Sequence, residues 1–108
     1  MPRDFEVYLE DIRLAISKIQ NYMDGVPRHA FEQDDRTLDA VIRNLEIIGE
    51  AAKMVPDSVR ASYPTIEWRK IAGLRDILAH QYFEVDLDII WDIIQNKLPE
   101  LDKQLGKS

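Results

Sequence analysis

Apolar residues recur at helical spacing along most of this chain, and no stretch sustains the alternation of a half-buried strand. That periodicity predicts four main helices. The first runs from about Asp4 to Met23, with Phe5, Tyr8, Leu9, Ile12, Ile16, Ile19 and Met23 on one face. Asp24-Gly25-Val26-Pro27 stops it, because glycine suits a left-handed cap and proline cannot continue a helix. The second starts near Asp34 or Asp35 and reaches about Met54, with Leu38, Val41, Ile42, Leu45, Ile48, Gly49 and Ala52 as its stripe. Asp39, Arg43, Glu46, Glu50 and Lys53 line the other side, where charges three and four apart can pair. Gly49 costs about 1 kcal/mol against alanine in mid-helix, and one physical use for it is the close approach of another helix.

Pro56 ends the second helix, and one short helical turn fits between Pro56 and Tyr63. Thr65-Ile66-Glu67-Trp68 is expected to open a third helix with Thr65 as its N-cap, and Asp86 is the expected N-cap of a fourth. Leu87, Ile90, Trp91, Ile94, Leu98, Leu101 and Leu105 follow a near-heptad spacing. Ile89 and Ile93 add a second apolar flank, read as one face for the core and one for a partner. Pro99 should kink or restart this helix. The expected fold is all-α, an antiparallel bundle of four to five helices, in a single domain over residues 1–108.

Composition narrows the function classes. The absence of cysteine excludes a disulfide scaffold, a thiolate metal site and a cysteine nucleophile. No apolar run approaches the roughly 20 residues of a membrane span, and the first residues lack the apolar core of a signal peptide, so the expected location is the cytoplasm. A net charge of −6 argues against broad electrostatic binding to nucleic acid. The charge is uneven: residues 51–80 carry 5 basic and 3 acidic side chains, whereas residues 1–50 carry 6 and 11. A domain of this size buries a modest share of its surface, so docking on a second copy would stabilise it.

One residue breaks the helical pattern inside the basic-leaning segment. Trp68, Ile71, Ala72, Leu78, Ala79 and Tyr82 trace an apolar face, with Leu74 and Ile77 flanking it, and Arg75 falls in its middle. On such a face a guanidinium must find a carboxylate, a phosphate or a polar interface. Asp76, Glu46 and Glu50 are the structural partners in view. His80 follows five residues later, a turn of about 140° on a continuous helix, which would point the two side chains apart. Arg75, His80 and Tyr82 converge within one chain only if the helix ends near Ala79; otherwise they meet across a dimer axis. His29 and His80 lack metal-ligand spacing, the four glycines are isolated, and no serine sits in a nucleophile elbow.

Arg75-Asp76-Ile77-Leu78-Ala79-His80-Gln81-Tyr82 reads as arginine, four residues, histidine, any residue, tyrosine. In a helical chain of this length the pattern resembles the HEPN-domain toxins of the HepT family. Arg43-Asn44-Leu45-Glu46-Ile47-Ile48-Gly49-Glu50-Ala51-Ala52-Lys53 is similar to that family's second helix, and Trp68 to Asp76 to its approach to the motif. The resemblance runs from about Tyr8 to Leu98.

The resemblance implies a HEPN-like homodimer and a ribonuclease toxin of a type VII-like toxin–antitoxin system, needing no metal and no cofactor. It places His80 at proton transfer and Arg75 on the scissile phosphate, with Asp76 orienting either. A minimal nucleotidyltransferase antitoxin of the MntA kind is the implied partner, transferring adenylyl groups to Tyr82 and silencing the toxin. RNA contact in an acidic chain would then fall to a local patch of Arg69, Lys70, Arg75 and Lys53. The alternative for the same residues is a non-catalytic helical dimer that binds a nucleotidyltransferase or a nucleotide.

Overall fold

The computed structural model describes residues 4–80 and 86–106, and of residues 76–80 the backbone alone. Helices dominate, and no strand forms among the described residues. They are α1 (Phe5–Met23), α2 (Arg28–Glu32), α3 (Asp35–Met54), α4 (Asp57–Arg60), α5 (Trp68–His80), α6 (Leu87–Asp92), a π-helical stretch (Ile93–Lys97) and α7 (Leu98–Leu105). The bundle is all-α, as the periodicity requires.

α3 is the central element, packed against α1 on one side and α5 on the other. Its start is fixed by Asp34, whose carboxylate accepts from Thr37 N at 3.1 Å and Thr37 Oγ1 at 2.6 Å. Those bonds, led by the one from the Thr37 hydroxyl, hold the Asp34 carboxyl below its ordinary range. Val41, Leu45, Ile48 and Ala52 are fully buried and meet Ile12, Ile16 and Ile19 of α1 in one core. Asp86 caps α6 by accepting from Asp88 N and Ile89 N.

The end of α3 is tied to the start of α5. Arg60 Nη2 donates to Ala52 O at 2.9 Å and Arg60 Nε to Val55 O at 3.0 Å, which satisfies carbonyls the helix leaves open. The same guanidinium lies 5.9 Å from the centre of the Trp68 ring. Gly49, further back along α3, meets Ile71 and Arg75. The two helices therefore run antiparallel.

Several expectations need correction. Thr65 does not cap α5; it lies in a turn, and its carbonyl accepts from Gln104 Nε2 at 2.8 Å. Phe5 is exposed and leaves the α1 stripe, while Ala15 joins it. The second apolar flank of the fourth helix does not exist as such, because Ile93 is buried in the core and only Ile89 is exposed. The short α2 was not foreseen. It brings the fully buried Phe31 against Trp91, and Arg28 ties it outward to Glu32 and Asp88. Pro99 does restart the last helix. The π-helical stretch precedes it, with Leu98 N donating to Ile93 O, and α7 carries the proline in its first turn.

Candidate functional site at the junction of α3 and α5

Glycine at position 49 decides how closely α5 approaches α3. A Cβ built there would stand 2.8 Å from Arg75 N, 3.1 Å from Arg75 Cβ and 3.3 Å from Ile71 O. No side chain fits that space, so the backbone of α5 rests on the bare helix surface. This is the close approach that the mid-helix glycine foreshadows.

The adjacent residue on α3 then reaches the arginine. Arg75 forms an ion pair with Glu50, its Nε 2.7 Å from Glu50 Oε2. Of the three carboxylates in view from sequence, Glu50 is the one that pairs. Both side chains are about half exposed, 45% for Arg75 and 53% for Glu50. The buried setting expected for Arg75 is therefore not found. Ile71 to Leu74 are half-buried and Arg75 is exposed, while Trp68 alone among residues 68–75 is buried. The apolar residues of α5 cover α3 without enclosing the arginine, so its charge keeps water on one side.

The other candidates are placed as follows. Asp76 and His80 lie on α5, which continues through His80 without a break near Ala79. Five residues along an unbroken α-helix separate Arg75 from His80 by about 7.5 Å of rise and about 140° of rotation. Tyr82 lies outside the described residues. Arg69 and Lys70 are exposed on the first turn of α5, where Lys70 Nζ pairs with Glu67 Oε2 at 3.0 Å. Lys53 is exposed on the last turn of α3, one turn beyond Gly49 toward the Trp68 end of α5. A cavity of about 240 Å³ opens elsewhere, between α5 and the C-terminal helix, with Ile71, Leu74, Ile93 and Leu98 in its wall and Lys70 and Lys97 at its edge.

Sequence reasoning placed Glu50 among ordinary surface charges as well as among the partners of Arg75. The signal that separates it from Glu46 is its position next to Gly49, because the close-approach residue brings its neighbour within reach of the facing helix. No group of three or more metal-ligating side chains gathers among the described residues. No helix among them is long and apolar enough to cross a membrane.

The model of a family described as "Ribonuclease HepT-like" matches residues 12–107, which include α3, α5 and Arg75. The chain belongs to the HepT-like ribonuclease family. Among its relatives, "Probable ribonuclease HepT" of Thermococcus cleftensis is 40% identical over 99% of this chain and 97% of its own length. "mRNA nuclease HepT" of Shewanella oneidensis is 29% identical, over 85% of this chain and 86% of its own. No solved structure gives a significant match. The HepT-like family accounts for the all-α architecture and makes ribonuclease the enzyme class of this chain.

Proposed function

We propose that this HepT-like ribonuclease is a metal-independent endoribonuclease toxin, working as a homodimer in which Arg75 holds the scissile phosphate and His80 moves the proton. The observation that carries the reading is Arg75 itself. Its guanidinium is half exposed on α5, five residues before His80 on the same helix. The name of the Shewanella relative makes messenger RNA the substrate to try first.

The chemistry needs few groups. RNA supplies its own nucleophile in the 2′-OH, and an imidazole exchanges protons near neutral pH. A guanidinium grips a phosphate bidentately and stabilises the charge that develops on it. Asp76, next to the arginine, orients Arg75 or His80. Because α5 is unbroken through His80, the pair has a poor route to one phosphate within one chain. That supports a composite site, with Arg75 of one copy and His80 of the other meeting at a dimer cleft.

Regulation completes the proposal. The partner is a minimal nucleotidyltransferase antitoxin that adenylylates Tyr82. The added phosphate would compete with RNA for Arg75.

RNA cleavage by purified, unmodified chain in EDTA tests the core of this reading. Arg75→Ala and His80→Ala should each lower the rate by about 10²–10⁴-fold without loss of helicity. Wild-type activity that survives either change would remove that residue from the mechanism. No cleavage of messenger or transfer RNA by folded chain would leave a non-catalytic partner of the nucleotidyltransferase. For Tyr82, intact mass after co-expression with the nucleotidyltransferase should rise by one or more adenylyl units. A Tyr82→Phe chain modified equally would exclude that site.

A further inference from the structure

We infer that Glu50 is a positioning residue for Arg75: its charge holds the guanidinium on the Nε side so that the two terminal nitrogens can serve as a phosphate-binding fork. The inference rests on the reading of Arg75 as the phosphate-binding group, and it adds a second helix to the site.

An arginine side chain turns about four single bonds, and a half-exposed one samples many directions. A guanidinium offers five N–H donors, one on Nε and two on each Nη. Glu50 Oε2 lies 2.7 Å from Nε in an ion pair. Among the described residues no other polar group engages the Arg75 side chain, so the Nη1 and Nη2 fork is left for a ligand. A phosphate accepts from such a fork through two oxygens at once.

The contact depends on Gly49. Its missing Cβ lets the α5 backbone at Arg75 lie against α3, and Glu50 is the next residue along. A wider helix separation would leave the carboxylate short of Nε. Gly49 sets the distance between the helices and Glu50 sets the direction of the guanidinium. An exposed pair of this kind contributes little to folding stability. Its value lies in aim, where a displacement of 1 Å can cost a catalyst about 10²-fold.

The deciding experiment is a double-mutant cycle on RNA cleavage with full-length chain. Glu50→Ala should lower kcat/KM by about 10- to 100-fold, with more of the loss in kcat than in KM, and leave the thermal midpoint nearly unchanged. Glu50→Gln keeps the length of the side chain but not its charge and should recover little of the loss. In an Arg75→Ala background, Glu50→Ala should change nothing further. Equal losses in both backgrounds would give Glu50 a role of its own and overturn the inference. So would faster cleavage by Glu50→Ala, which would make the carboxylate a competitor of the phosphate. If Arg75→Ala cleaves as well as wild type, the assignment of Arg75 has failed, whatever Glu50 does. If wild type cleaves no RNA, binding of a 2′-O-methyl RNA decides the matter. Affinity that falls on Glu50→Ala only when Arg75 is present sustains the positioning role, and unchanged affinity overturns it.

Discussion

At the scale of single residues, two neighbours on α3 do opposite things. Gly49 contributes by having no side chain, and Glu50 by having one of the right length and charge. Gly49→Ala should therefore destabilise the fold by about 1–3 kcal/mol through overpacking, despite the roughly 1 kcal/mol of helix propensity that alanine brings. Urea unfolding measures this directly, and a stabilised Gly49→Ala variant would mean that α5 yields easily. Arg75 was legible from sequence as the one charge in an apolar helical pattern. Its exposure was not, because periodicity tells which face a residue shares but not how far the facing helix extends over it. The choice of Glu50 over Glu46 or Asp76 likewise needed the α3–α5 approach, which no spacing within one helix encodes.

At the scale of elements, caps and stripes carried most of the readable information. Asp34, Asp86 and the Asp24-Gly25 stop fall where their chemistry puts them, with Gly25 at φ 71°. The short α2 was invisible, because five residues cannot display a helical period and Phe31 is its only buried side chain. The π-helical stretch was invisible for a related reason, since it changes the period within a single turn. The Asp34 cap yields a pH dependence. Folding holds its carboxyl below the ordinary value of 3.8. The cap's contribution is therefore complete above that value and is lost as pH falls through the lower folded-state value. Asp34→Ala should lower the thermal midpoint at neutral pH, and the gap to wild type should close in strong acid. A gap that persists in acid would show that the carboxylate is not what holds the start of α3.

At the scale of the whole molecule, α3 is the beam on which both α1 and α5 rest, so the core and the candidate site share one support. The Cα radius of gyration is 13.9 Å, close to the roughly 13 Å of a compact domain of this length. Each copy thus folds around its own core, while the proposed catalytic site takes one residue from each of two copies. Cleavage rate per chain should then fall on dilution, over the range in which sedimentation shows dimers giving way to monomers. A rate per chain that stays constant while the dimer dissociates would place the whole site within one copy.

The π-helical stretch before Pro99 has a consequence for what the last helix tolerates. A π turn holds one residue more than an α turn and leaves the helix on either side in phase. With Gln95 removed, the buried Ile90, Ile94, Leu98, Leu101 and Leu105 would still fall three and four residues apart. Deleting the exposed Gln95, together with Pro99→Ala, should close the bulge into ordinary α-helix and keep Leu98, Leu101 and Leu105 facing the core. The same single deletion in the middle of α3 would swing every later residue of that helix by about 100° and unseat α5. Circular dichroism and thermal melts of the two deletions should differ accordingly, so this chain can lose a residue from the π-helical stretch far more safely than from the helix that bears its site.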